Sequence, residues 1–277
     1  QQIDFDDNLN KNFYKKIEID YLLSTYQLET VCNLRNELNE EKIFEFNFLE
    51  KIDIFCLVLN VKLLEAELQN SILLETECNL DNIFQELYFY IINREAKFDV
   101  NALNFENNNY LLYLYAAMMR IAELPLNENF LNLDPKNLSI AIILNSSTPI
   151  NIRIKAANRS FMNNTLSVDS LSALYQSVDF DSNQLNNPEV TLETLKQNVE
   201  LSIAYYYQLI NIQIFPTDRL NALINFWSFA RQNNLEDIAY AISNNIVQSF
   251  EIANDNAKYG NEIAISNIYN KNFEKAT

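Results

Sequence analysis

Histidine is absent from the 277 residues, and glycine occurs once, at Gly260. The first absence removes the imidazole from every role it fills as base, proton shuttle or metal ligand. The second removes the glycine-rich loops that cradle phosphates. No C-x-x-C pair occurs among Cys32, Cys56 and Cys78, so zinc and iron–sulfur ligation have no support. An odd number of cysteines excludes a complete disulfide framework. Each lies in or beside an apolar stretch, and each is expected to be a small core residue. Asn-Gly and Asp-Gly hairpin turns are missing, and strict apolar–polar alternation never persists, so strands have no signal.

Opposing charge is also scarce. Acids outnumber bases 37 to 20, a net charge of −17. Such a field repels nucleic acid and anionic lipid. Residues 1–100 carry 20 acids and 9 bases, so the N-terminal third is the more negative, with no block of five like charges. The start, Gln1-Gln2-Ile3-Asp4, has neither the basic opening nor the apolar core of a secretory signal, although a mature start after cleavage reads the same way. The longest strongly apolar run, Tyr110 to Met119, ends at Arg120 and is too short to span a bilayer, so no transmembrane segment is expected.

What is present is apolar, aromatic and rich in asparagine. Apolar residues make up 48%, with 18 Phe and 15 Tyr, enough for a packed core. Asparagine occurs 43 times. It tolerates the left-handed conformation that ends helices. Asn163-Asn164 and Asn233-Asn234 are therefore expected to replace glycine at helix ends.

Helical periodicity recurs. Leu220, Leu223, Ile224, Trp227 and Ala230 form one stripe, Ile150, Ile154, Ala157 and Phe161 a second, and Ile83, Leu87, Tyr90 and Ile91 a third. Helices are predicted at about 10–25, 28–40, 46–60, 62–76, 81–94, 108–123, 136–145, 150–163, 168–177, 191–213, 217–232, 235–253 and 260–275. Asp81, Ser167 and Thr191 stand where N-caps are expected. Pro149, Pro188 and Pro216 precede helical patterns, where a first-turn proline is tolerated.

Many short helices with short connections give an all-α chain. The expected architecture is an α-solenoid of stacked αα-hairpins, a degenerate tetratricopeptide-like or HEAT-like superhelix; a compact all-α globule is the alternative. The segments 95–108 and 178–190 are the expected breaks. They give an acidic helical-hairpin part at 1–107 and a helical-repeat part at 108–277, within one continuous solenoid.

Arg153-x-x-Ala156-Ala157-x-Arg159, followed by Leu166-Ser167-x-x-x-Leu171-x-x-Leu174-Tyr175, resembles a segment of an uncharacterised family of alphaproteobacterial helical-repeat proteins. Phe55-Cys56 followed by Glu65-Ala66-Glu67-Leu68 is similar to the N-terminal part of that family. The resemblance covers about two-thirds of the chain in scattered pieces, all of them helix-packing residues. It implies helical repeats and an envelope location, and it carries no catalytic residue over.

Candidate chemistry is thin. Asp4, Asp6 and Asp7, like Asp179, Asp181 and Asn183, lack the glycine turn and closing glutamate of a calcium loop. Asx turns explain the second group better. Carboxylate pairs such as Glu65 with Glu75, or Glu189 with Glu193, are too common in so acidic a chain to single out. No Ser-x-x-Lys occurs. No metal and no cofactor are expected.

Tyrosine is the positive signal. Tyr110, Tyr113 and Tyr115 share one predicted helix, and Tyr205, Tyr206 and Tyr207 are consecutive on another. Three consecutive positions sweep about 200° of a helix, so the triplet cannot face one core. Tyr110, Tyr113, Tyr205, Tyr206 and Tyr207 are the candidate binding residues, with ordinary layer packing as the alternative. Arg231, four residues after the core-facing Trp227, joins them. It is placed to stack on the indole or hold a partner carboxylate, or else to pair with Asp218, Glu236 or Asp237.

The expected function is a non-enzymatic scaffold that binds a neutral or basic protein or peptide on its concave face. The alternative is the helical module of a carboxylate-based glycan-acting enzyme. A periplasmic or envelope location is favoured over a cytoplasmic one.

Overall fold

A computed structural model describes residues 14–15, 17–19, 21–23, 25, 27–36, 48–60, 62, 65, 109–133, 138–247, 256–269 and 271–275. Helix is the regular structure throughout, and no strand occurs among the described residues. The chain divides into two compact units, Gln1–Pro149 and Ile150–Thr277. The predicted helix at 81–94, with Asp81 and the Ile83 stripe, lies outside the described residues, as do most of 62–76 and the expected break at 95–108.

In the first unit, α1 (Leu28–Asn36) packs on α2 (Phe48–Leu59), α2 on α3 (Asn109–Ile121), and α3 on α5 (Leu138–Leu144). A single turn, α4 (Phe130–Leu133), rests on α5. Val31, Ile52, Ile54 and Phe55 are buried on α1 and α2, and Ala116 to Met119 on α3. The Asn145 side chain donates to the Leu124 carbonyl at 2.9 Å, and the Leu126 amide donates to Thr148 Oγ1 at 2.9 Å. These two bonds tie the segment after α3 to the end of α5.

The cysteines correct the expectation of inert core thiols. Cys32 on α1 and Cys56 on α2 form a disulfide, with Cα atoms 5.5 Å apart. Three cysteines allow one bridge with one left over, and Cys78 lies outside the described residues. A bridge across a separation of 24 residues stabilises by about 3 kcal/mol through the unfolded chain it constrains.

The second unit holds α6 (Ile150–Met162), α7 (Val168–Gln176), α8 (Ser182–Asn186), α9 (Pro188–Leu195), α10 (Val199–Ile212), α11 (Pro216–Gln232), α12 (Glu236–Val247) and α13 (Asn256–Tyr269). A 3-10 turn, Phe273–Lys275, follows. The caps explain several boundaries. Ser167 caps α7 by accepting from the Ser170 amide, and Asp181 forms a reciprocal capping box with Gln184 at the start of α8. Pro188 and Pro216 occupy first turns. The helix predicted over 191–213 is two helices. It breaks at 196–198, where Asn198 caps α10. Thr191 is no cap; it is buried inside α9, and its hydroxyl donates to the Gln184 carbonyl at 2.9 Å.

Sequential pairs α6–α7, α10–α11, α11–α12 and α12–α13 pack together, as hairpins do. Yet α10 also touches α6 and α7, and α12 touches both as well. A stack whose repeats meet only their neighbours does not make those contacts.

Gln208, buried on α10, sets the register of this core. Its Nε2 donates to the carbonyls of Tyr175 and Val178, each at 2.8 Å, with the Gln176 carbonyl at 3.3 Å. The last carbonyls of α7 have no partner within their own helix, and Gln208 supplies one from another helix. The Tyr175 hydroxyl, fully buried, donates to Asn158 Oδ1 on α6 at 2.5 Å. One residue on α7 thus engages both α6 and α10.

Helix ends close without glycine. Glu123, Asn164, Asn234 and Lys271 adopt left-handed φ of 57–60°. In each case the amide one residue further on reaches back to a carbonyl five residues earlier, as in Thr165 to Ser160 at 2.8 Å and Leu235 to Ala230 at 2.8 Å. This double turn is the Schellman motif, which glycine usually closes. Gly260 instead sits inside α13, where an added Cβ would meet nothing within 4 Å.

Two outcomes follow. Gln208→Leu removes the buried donor that the Tyr175 and Val178 carbonyls share and should lower stability in urea by about 1–3 kcal/mol; a change within about 0.5 kcal/mol would show that the bonds contribute nothing. Glu123→Gly and Lys271→Gly should each stabilise by about 1 kcal/mol by relieving a left-handed side chain, and Gly260→Ala by about 0.5–1 kcal/mol. Destabilisation by any of the three would contradict this account.

Candidate functional site

The predicted site residues fall in both units. Tyr110 and Tyr113 lie on α3 of the first unit, and their side chains are outside the described residues. Tyr115, one turn on, is buried and stacks on Phe130 at 5.7 Å. The tyrosine triplet and Arg231 belong to the second unit.

The triplet spreads as helix geometry demands. Tyr205 is fully buried, so its ring is core rather than contact surface. It meets Phe180 edge-on at 5.0 Å and donates its hydroxyl to the Gln184 carbonyl at 2.5 Å, the acceptor that Thr191 also uses. Tyr206 and Tyr207 are half-buried. Tyr206 lies 5.0 Å from Phe229 on α11, and Tyr207 is edge-on to Tyr175 at 5.8 Å. Burial pushes the hydroxyls of Tyr175, Tyr205 and Tyr206 above their ordinary range, so all three stay neutral.

Arg231 is exposed and donates through Nη2 to the Tyr240 hydroxyl at 2.9 Å. Trp227 is buried, with Nε1 donating to Ser243 at 2.8 Å. Trp227, Tyr240 and Tyr269 form an aromatic row with centroid spacings of 5.8 and 5.5 Å. Tyr269 closes it by donating to Asp237.

The feature that the tyrosine pattern missed lies at the α10–α11 turn. Helix α10 ends at Ile212, and Gln213 turns extended. Ile212, Ile214 and Phe215 are 43, 88 and 66% exposed. Phe215 stands at the N-cap of α11 with no side-chain cap bond. That position favours Ser, Thr, Asp or Asn by about 1 kcal/mol. Pro216 holds the residue before it extended, and Phe215 has φ −84° and ψ 134°. The sequence signal was there: Ile210, Ile212 and Ile214 alternate with polar residues just before a proline, a spacing that leaves the helical stripe.

Asp179, Asp181 and Asn183 gather no ligand set, because Asp181 is committed to the cap of α8. Among the described residues no three Asp, Glu or Cys side chains converge to hold a metal. Among the same residues no helix is long and apolar enough to cross a membrane. Asp4, Asp6 and Asp7 lie outside the described residues. No family model, no curated protein and no solved structure matches this chain.

The Tyr269–Asp237 contact has a pH signature. The bond to the carboxylate, then burial and the nearby negative charge, push the Tyr269 hydroxyl up to about 12 from 10.0. The folded chain therefore holds this proton more tightly than the unfolded chain does. The contribution is complete below pH 10 and disappears as pH rises from 10 to 12. Tyr269→Phe should lower stability at neutral pH and flatten the fall between pH 10 and 12, measured by denaturation at each pH; an unchanged slope would contradict the assignment.

Proposed function

We propose that the chain is a non-enzymatic helical-repeat scaffold that docks a neutral or basic protein segment, with Ile212, Ile214 and Phe215 as its anchor. The carrying observation is the apolar α10–α11 turn. Exposed apolar residues scattered singly are ordinary, but three within four positions, one at a cap that favours a polar residue, form a patch. With Phe215 66% exposed, folding gains little from a phenylalanine there, whereas an interface gains more, because apolar and aromatic anchors dominate binding energy. The net charge of −17 sets the partner's chemistry, repelling acidic chains and a second copy alike.

Tyr206 and Tyr207, on the helix that leads into the turn, are the remaining aromatic contacts of this reading; Tyr205 is not one of them. The sequential helix pairs support stacked hairpins, whereas the contacts of α10 and α12 with both α6 and α7 support the compact all-α globule within this unit. The Cys32–Cys56 bridge supports an oxidising location such as the periplasm or envelope.

The test is photo-crosslinking from position 214 in the native organism, with exposed Gln232 as the control position. A neutral or basic protein should be captured from 214 and not from 232. Ile214→Ser with Phe215→Ser should abolish capture and leave the unfolding midpoint unchanged or raised. Equal capture from both positions, or loss of stability in the double variant, would make the turn an ordinary structural element.

A further inference from the structure

The α1–α2 pair encloses a cleft of about 460 Å³ whose lining includes both bridged cysteines. Cys32 is buried at 7% exposure and Cys56 is half-buried, while Ile52, Ile54, Phe55 and Val58 on α2 are buried. The disulfide therefore sits at the boundary between the apolar core and the cleft. The charges in the cleft lining balance, and Lys62 pairs with Glu65 at 3.5 Å. Glu29 and Asp53 stand with Arg35 and Lys62 in that lining, and Arg35 bonds Asp53 at 2.6 Å. The unit around it is strongly acidic, with 24 acids and 11 bases across residues 1–149. An anionic small molecule that the rest of this unit repels is tolerated here. Asn33 and Asn60 add neutral amides to the wall.

We propose that the cleft admits small anionic peptide thiols and that Cys56 is the site of their covalent attachment. The incoming thiolate attacks Cys56 Sγ from the cleft side. A new sulfur–sulfur bond forms, the Cys32–Cys56 bond breaks, and Cys32 leaves as a thiolate that takes up a proton. A second thiolate releases Cys56 and yields the small-molecule disulfide, so two thiols are oxidised as the protein bridge is reduced. Attack falls on Cys56 because it is the more exposed of the two, Cys32 being buried at 7%. The exchange proceeds in the folded chain, since the route to the bond is the cleft itself.

The experiment uses the oxidised full chain carrying Cys78→Ser, with reduced glutathione as the probe, an iodoacetamide quench and peptide mass mapping. Wild-type chain, with Cys78 mapped in the same digest, guards against a folding defect of that variant. Glutathione should appear on Cys56 and the alkyl group on Cys32, at a rate proportional to thiol and unaffected by denaturant below the unfolding transition. Lys62→Glu should slow glutathione several-fold and slow β-mercaptoethanol, whose attacking thiolate carries less negative charge, by clearly less. Glutathione on Cys32, reduction that rises with denaturant in step with unfolding, or equal slowing of both thiols by Lys62→Glu would overturn the proposal.

Discussion

The second unit depends on the hydrogen bonds that one buried amide makes. Gln208 reaches from α10 to the open end of α7, and the tyrosine whose carbonyl it binds reaches on to Asn158 of α6. A buried amide or phenol costs several kcal/mol unless it is matched, so only one relative placement of these helices leaves the network satisfied. Hydrophobic stripes bring α6, α7 and α10 together. The polar groups then decide where along each stripe they stop.

This division of labour explains which features were legible in the sequence. Helices α6, α7 and α11 follow their predicted spans closely, because each combines an apolar stripe with a start signal: Pro149, Ser167 and Pro216. The left-handed ends at Asn164 and Asn234 were also legible, since few residues other than asparagine fill the role of glycine there. The same turns at Glu123 and Lys271 carried no such mark. The break between α9 and α10 was hidden because Lys196-Gln197-Asn198 contains neither glycine nor proline. Thr191 looked like a cap and is buried, since the true start lies at Pro188.

Pairing was the larger blind spot. Nothing in the spacing of three cysteines says which two come within 5.5 Å, and an odd count excludes only a complete framework, not a single bridge. The candidate site was partly legible for the same reason. Helical geometry separates Tyr205 from Tyr206 and Tyr207, but which of them is covered depends on Phe180, Phe229 and Tyr175, all distant in sequence. The exposed turn was visible as a local conflict, an aromatic where a capping oxygen belongs. Asp181 and Gln184, a few helices earlier, show the rule obeyed within the same unit. Where local preference and observed residue disagree, function is the first place to look.

The glycine-poor helix ends have a consequence for motion. A glycine places the cost of a left-handed turn in the unfolded chain, as extra freedom to be lost. Asparagine, glutamate and lysine place it in the folded state, as strain stored at four points. Each strained turn relaxes when its helix frays, so the strain favours local opening. The ends of α3, α6, α11 and α13 thus become built-in starting points for breathing, while the amide-locked centre between α7 and α10 stays closed.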